Sequence, residues 1–307
     1  MKEKVIEAKQ ITKPYGSLLA LDGISLYVKR GEIYGLIGDN GAGKTTLLKT
    51  LSGLTWATKG DVSLFGQHGE KNLKECRKQI GTMIEEAGFF PYLSVEKNVE
   101  YYRILKGIPG KDRTKQLLQL VGLWDKRKSK GKELSMGMKQ RLGLAIAMIG
   151  EPQILILDEP INGLDPSGII EFRNILLRLN QEKNITILLS SHILSELEQT
   201  ATVFGFMSNG KLIEEIGIQE LKEKCADFIE ITVSNVDTYA ALLDRFFPQE
   251  NYKILPQKSI RIFNPQKNIE AYSSLATENN VAIIGLERHK YSLEEYYMNL
   301  KGVERNA

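Results

Sequence analysis

The stretch GEIYGLIGDNGAGKTTLLKT, residues 31–50, constrains the fold more than any other part of the chain. Its first eight residues are largely apolar and read as a buried strand. Glycines at 38, 41 and 43 then break the pattern, and KTTLLKTLSGL resumes with helical spacing. A strand, a glycine-rich turn and a helix in direct succession open an α/β unit with a parallel sheet. Residues 38–46 also fit the pattern G-x-x-x-x-G-K-[ST]. Glycines there let successive backbone N–H groups turn inward around phosphate oxygens, and the helix adds the positive end of its dipole. Lys44 is placed to reach the β- and γ-phosphates, and the Thr45 hydroxyl to ligate Mg²⁺. The nucleotide-binding candidates are therefore Gly38, Asp39, Asn40, Gly41, Ala42, Gly43, Lys44, Thr45 and Thr46.

The rest of the chain supplies partners for that unit. QILILDEP (153–160) is an unbroken apolar run ending in two acids, as in a strand buried on both faces. SGIIEFRNILLRLN (167–180) is amphipathic, with Ile169, Phe172, Ile175, Leu176 and Leu179 on one side. ITILLSSH (185–192) is a further buried strand. Between about 86 and 150 the pattern turns helical, which predicts an inserted helical subdomain. From about 218 the texture changes to a small α+β appendage of βαββαβα order. The expected division is 4–217 for the first domain and 218–307 for the second, in line with a length of 307 residues.

Composition narrows the function. The chain is 42% hydrophobic and 26% charged, enough for a substantial core. A net charge of +3 does not mark a nucleic-acid binder, and none is expected. The basic run Lys126–Lys130 reads as a solvated loop. Cys76 and Cys225 are far apart and lack metal-ligand spacing, which argues against a disulfide or zinc site and for a reducing cytosol. The opening MKEKVIEAK leads into no apolar core of a secretory signal. No apolar stretch approaches the ~20 residues that span a bilayer. If the chain acts on membranes, another chain must supply the span.

Three further residues carry candidate chemistry. Asp158 and Glu159 end a buried strand, where a parallel sheet places its ligand crevice. Asp158 suits a carboxylate that holds Mg²⁺ directly or through water, and Glu159 a group that orients or deprotonates water. His192 ends another strand of the same expected sheet. His68 and His289 have no such context and are expected at the surface. A last stretch, LSMGMKQRLGLA (134–145), holds no acid, histidine or cysteine. Its hydroxyl, its glycine and the helix start behind them are tools for holding an anion.

In their order, GDNGAGKT, LSMGMKQ, ILILDE, NGLD (162–165) and the histidine of SSH resemble an ABC-type ATPase domain over about residues 4–217. The resemblance implies a parallel-sheet core, an antiparallel β subdomain and a helical subdomain, with ATP and Mg²⁺ as ligands. It implies a second ATPase subunit, expected to be a second copy of this chain, paired head to tail. In that arrangement Ser135, Met136 and Gly137 form the signature loop that caps the partner's nucleotide. It also implies that Tyr15 stacks on adenine, that Asp165 is the D-loop acid, and that His192 contacts the γ-phosphate. Such a subunit is cytoplasmic and attaches to the membrane through integral permease subunits.

Three departures stand out. Met136 and Met138 replace the glycine and glutamine of many members, and Glu85 occupies the usual place of the Q-loop glutamine. A carboxylate at Glu85 would change charge and ligation near Mg²⁺, although the loop 85–93, with Phe89, Phe90 and Tyr92, should still face the membrane partner. Within the family, GTMIEEAGFFPYLSVEKNVEYY, LSMGMKQRLGLAIAM and EPINGLDPSGI look most like ATPases of bacitracin- and lantibiotic-type exporters. The alternatives are an ATPase of another efflux system, a non-transport ABC ATPase, and a degenerate module that senses ATP. One cassette without a heptad run or cysteine cluster argues against the second. Glu159 and His192 argue against the third.

Overall fold

The computed structural model describes residues 3–85, 88–110, 112–225, 227–256, 258–289 and 293–305. The chain divides into two compact units, Met1–Ile218 and Gln219–Ala307.

In the first unit the chain runs β1 (Lys4–Tyr15), β2 (Leu18–Lys29), β3 (Ile33–Gly38), α1 (Lys44–Ser52), β4 (Lys59–Leu64), α2 (Glu70–Arg77) and β5 (Ile80–Met83). Three helices follow: α3 (Val95–Leu105), α4 (Asp112–Leu120) and α5 (Met136–Ala147). The unit ends with β6 (Ile154–Leu157), α6 (Pro166–Lys183), β7 (Thr186–Ser191), α7 (Leu194–Glu198), β8 (Val203–Ser208) and β9 (Lys211–Gly217).

One sheet has the order β5-β6-β7-β3-β8-β9, parallel throughout except for β9 at its edge. Every residue of β3, β6 and β7 is buried. That explains why these strands read as continuous apolar runs rather than alternating ones. A separate antiparallel sheet has the order β2-β1-β4. Leu36 of β3, Leu47 and Leu51 of α1, Ile154 and Ile156 of β6 and Leu188 of β7 share one apolar core with residues of that second sheet. The loop between β3 and α1 is thereby fixed from behind.

Helix starts are set by short polar caps. Ser94 accepts from the Lys97 N–H at 3.2 Å, and Ser135 from that of Met138 at 3.3 Å. Asp165 caps α6, whose first residue is Pro166, where a missing N–H costs nothing. The predicted helical insert corresponds to α3, α4 and α5. Its expected start, Glu86, lies outside the described residues, and its first helix begins at Val95. In α6, Phe172, Ile175, Leu176 and Leu179 are buried, while Ile169 is half-buried.

Helix α8 (Ile218–Lys224) starts at the last residue of the first unit, and the second unit continues β10 (Phe228–Val233), α9 (Val236–Phe246), β11 (Asn251–Leu255), β12 (Ser259–Phe263), α10 (Ile269–Glu278), β13 (Ile283–His289) and α11 (Leu293–Arg305). Its antiparallel sheet has the order β11-β12-β10-β13. Two βαβ halves are thus interleaved, a split βαβ arrangement. Ile229, Ile231, Ile260 and Ile262 of the central strands pack with Tyr239 and Tyr272 of the helices. Asn235 and Asn268 cap those helices.

Two histidine expectations divide here. His68 is exposed and lies 2.6 Å from Asp61. His289 is not a plain surface residue: it stacks on Phe228 at 4.7 Å on the adjacent strand, because the register pairs those two positions.

Candidate active site

The site is assembled where β3, β6 and β7 end side by side. In the parallel register Ile37 stands opposite Ser191, and Leu157 opposite Leu189. The residues just past each strand therefore meet at one edge of the sheet.

The loop after β3 needs its glycines for space as well as for conformation. Gly43 has φ +103°, and a Cβ there would lie 2.5 Å from the Ala20 carbonyl oxygen. A Cβ on Gly38 would lie 2.8 Å from the Met207 oxygen. Ala42 is buried, while Asp39, Asn40 and Gly41 are exposed, and Thr46 is half-buried. Gly43 caps α1 without any side-chain acceptor, so the first-turn N–H groups are not claimed by a cap.

Lys44 is buried, and its Nζ donates to the Gly38 oxygen at 2.7 Å and the Asp39 oxygen at 3.2 Å. It also lies 3.2 Å from Glu159 Oε1. That oxygen is buried and has no hydrogen-bond partner in good geometry, so the ammonium serves it by charge alone. The second Glu159 oxygen lies 2.8 Å from His192 Nδ1. An ionised Glu159 requires the hydrogen on Nδ1. Glu159 has a left-handed backbone, φ +46°, which turns its side chain back across the strand ends. Lys44, Glu159 and His192 thus form one continuous chain of contacts.

Asp158 is almost fully buried, with its N–H donating to the Met83 oxygen at 2.8 Å. Thr45 Oγ1 donates to Asp158 Oδ2 at 2.8 Å. Ser190 Oγ donates to Oδ1 at 2.6 Å. Thr45 and Asp158 fit a hard divalent cation: a hydroxyl and a carboxylate oxygen converge beside a loop shaped for phosphate. Mg²⁺ is commonly held by one or two carboxylates with phosphates and water completing its shell. Among the described residues there is no cluster of three or more acidic, histidine or cysteine ligands. The protein side of such a site would be Thr45 and Asp158.

The structure gives Glu85 a different neighbour. Its carboxylate is exposed and lies 2.5 Å from Lys49 Nζ, a full turn along α1 from Thr45. Glu85 is left-handed, with φ +67°. Tyr15 ends β1, half exposed, with Lys13 Nζ 5.3 Å from its ring centre.

Ser135 and Met136 are exposed and Gly137 is half-buried at the start of α5. Their neighbours in the same chain are the 163–168 segment. A Cβ on Gly163 would lie 3.8 Å from Met136 Cγ, and one on Gly137 would lie 3.9 Å from Leu164 Cδ2. Asp165 accepts from Ser167 Oγ at 2.8 Å and the Gly168 N–H at 3.1 Å, and these bonds hold its carboxyl below the usual range. Ser190 was not singled out by the sequence reading. The only signal available was a hydroxyl inside an apolar strand, two residues before the histidine.

With this geometry in place, comparison with known proteins decides the family. The ABC transporter family model matches residues 21–162. The bacitracin transport ATP-binding protein BcrA of Bacillus licheniformis is 38% identical over 298 residues, covering 97% of each chain. The chain belongs to the ABC transporter ATP-binding proteins. It is an ATPase of the class that couples ATP hydrolysis to transport. The lantibiotic transport ATP-binding protein SrtF of Streptococcus pyogenes is 41% identical over 211 residues, covering 69% of this ABC ATPase and 90% of SrtF. Among solved structures, an ATP-binding subunit of an ABC transporter is 29% identical with a TM-score of 0.63, covering 72% of this chain and 92% of that one. A cassette solved as a dimer in a post-hydrolysis state with ADP and phosphate has a TM-score of 0.62 at 24% identity, covering 69% of this chain and 98% of that one. No described helix of the ABC ATPase is long and apolar enough to cross a membrane.

Proposed function

We propose that this subunit hydrolyses ATP at the edge of β3, β6 and β7 and drives the export of peptide antibiotics through separate permease subunits. The observation that carries the hydrolytic reading is the contact chain Lys44–Glu159–His192 beside the Thr45–Asp158 pair. The glycine loop and Lys44 bind the phosphates of ATP. Thr45 and Asp158 would hold Mg²⁺, which would supply positive charge beside the phosphate oxygens. Once Lys44 turns to the phosphates, Glu159 Oε1 is left buried, charged and unpaired. It is then placed to accept a proton from a water that attacks the γ-phosphorus, with ADP as the leaving group. His192 keeps the carboxylate oriented through Oε2; a hydrogen on its other nitrogen as well would let it donate to the γ-phosphate.

The remaining site is completed by a second copy. Ser135, Met136 and Gly137 at the start of α5 would cap that copy's nucleotide, and they lie beside the 163–168 segment that carries Asp165. The export reading rests on the likeness to the bacitracin and lantibiotic ATPases. It is supported by an exposed apolar surface on the helical insert: Phe90, Tyr92, Tyr101, Ile104 and Leu105. Phe90 meets Tyr101 edge to face at 4.8 Å, and buried Asn98 pins the Phe90 backbone through both its N–H and its oxygen. The loop is thus held rigid with its aromatic side out, suited to an apolar permease helix. Phe89 packs inward against Gly131.

The deciding experiment is Glu159→Gln in the full chain, with fluorescent-nucleotide binding and phosphate release measured side by side. Binding is expected to persist while turnover falls by about 10²–10⁴-fold, the usual worth of a general base. Turnover at the wild-type rate would remove Glu159 from the reaction.

A further inference from the structure

Ser190 is the penultimate residue of an all-buried strand and is itself fully buried. A hydroxyl in that position must find partners. Its partners are the two acids of the site. Its single hydrogen goes to Asp158 Oδ1 at 2.6 Å, and it accepts the Glu159 N–H at 2.9 Å. Its neighbour Ser191 does something else, accepting the Ile193 N–H at 2.9 Å in the turn toward α7.

The two bonds of Ser190 have distinct consequences. Bonding Oδ1 fixes the rotation of the Asp158 carboxylate, so Oδ2 alone faces Thr45, 2.8 Å away. Bonding the Glu159 N–H holds that residue in its left-handed conformation, φ +46°, which a non-glycine residue rarely adopts unaided. That backbone turn is what aims the Glu159 carboxylate at Lys44 and His192. We propose that Ser190 is a positioning residue that sets the metal carboxylate and the base carboxylate with one hydroxyl. This rests on the roles given above to Asp158 and Glu159. One donor and one acceptor are both needed, so threonine can substitute and valine, of the same shape, cannot.

The experiment compares Ser190→Thr, Ser190→Val and Ser190→Ala in the full chain, beside Glu159→Gln. Turnover, KM for ATP and the affinity for a fluorescent ATP analogue are measured, the last with excess EDTA and with Mg²⁺. Valine and alanine are expected to lower kcat by about 10–100-fold, as lost outer-shell partners do. Analogue affinity in EDTA should be unchanged, while the increment added by Mg²⁺ should shrink. Threonine should restore both. If alanine fails to fold, the threonine and valine pair still decides. Equal activity of threonine and valine, or analogue binding in EDTA falling in step with kcat, would overturn the proposal. With Glu159→Gln inactive, that result would sink the Ser190 role alone. Wild-type turnover by Glu159→Gln would sink the catalytic reading and this proposal with it.

Discussion

His192 is the residue whose role is most exposed to test. It is partly solvent-accessible, yet its Nδ1 holds Glu159 Oε2 at 2.8 Å. His192→Ala leaves Lys44, Thr45 and Asp158 in place, so ATP should still bind. Hydrolysis should fall by about 10²-fold, the low end for a lost acid–base partner, in a phosphate-release assay with KM nearly constant. A parallel loss of nucleotide binding would mean the imidazole builds the pocket rather than orients the base. Glu85 makes the opposite case. Its pair with Lys49 is open to solvent, and such pairs contribute about 0–1 kcal/mol. Glu85→Gln should therefore change ATP affinity by less than about tenfold, the equivalent of 1.4 kcal/mol. Its larger effect should be on stimulation of the ATPase by co-purified permease, and unchanged stimulation would detach this loop from coupling. At this scale the sequence was legible where a motif spans a short segment. Gly38 to Thr46, Asp158, Glu159 and His192 could all be picked out. Glu85's partner and the two bonds of Ser190 could not, because the first depends on where α1 packs and the second on which strands lie side by side.

Element packing contains one contact that no local pattern announces. Tyr34 on β3 reaches across β8 to Glu215 on β9, its hydroxyl donating at 2.9 Å. Gly205 on the intervening strand makes room, since a Cβ there would lie 2.3 Å from the Tyr34 hydroxyl. Read alone, GFM in a strand suggests only a weak spot in the pattern. Gly205→Ala should destabilise the chain by about 1–3 kcal/mol, the range for overpacking, seen as a lower denaturant midpoint. Wild-type stability would show that the ring can move aside. Burial first, then nearby Glu32, pushes the Glu215 carboxyl above its ordinary range, while the Tyr34 bond pulls it back. A carboxyl raised in the folded state binds its proton more tightly there than when unfolded. Its contribution to stability is greatest below the unfolded value, about 4.3, and is lost as pH rises through the folded one. Glu215→Gln, which can still accept from Tyr34, should remove that slope and raise stability at neutral pH. An unchanged pH–stability curve would place the dependence elsewhere. The fold class itself was readable because β3, β6 and β7 are continuous apolar runs. Strand order and the antiparallel edge at β9 were not, since order is decided by crossovers of the whole chain.

For the whole molecule, the decisive question is whether the start of α5 caps a nucleotide bound by a second copy. Within one chain, Ser135 is occupied in capping its own helix, and Met136 and Gly137 lie along the 163–168 segment. If the ligand is a second copy's nucleotide, each site joins the glycine loop of one copy to the α5 start of the other. Ser135→Arg should then leave ATP binding by the isolated chain nearly intact and abolish hydrolysis. Lys44→Ala should abolish hydrolysis from the other side. Mixing the two inactive variants gives the informative result. In a mixed pair, the good loop of the Ser135→Arg chain meets the good α5 start of the Lys44→Ala chain. The second site of that pair carries both defects. Random pairing makes about half the dimers mixed, each with one intact site of two, so recovery should reach at most about a quarter of wild-type activity. Pairs that need both sites would recover none, so the mixture is read together with the binding assay. Loss of ATP binding by Ser135→Arg chains under conditions where they are monomeric would contradict the head-to-tail arrangement, because a monomer's own nucleotide would then depend on its own α5. Recovery to well above about a quarter would contradict it too, since head-to-tail pairing cannot create that many intact sites.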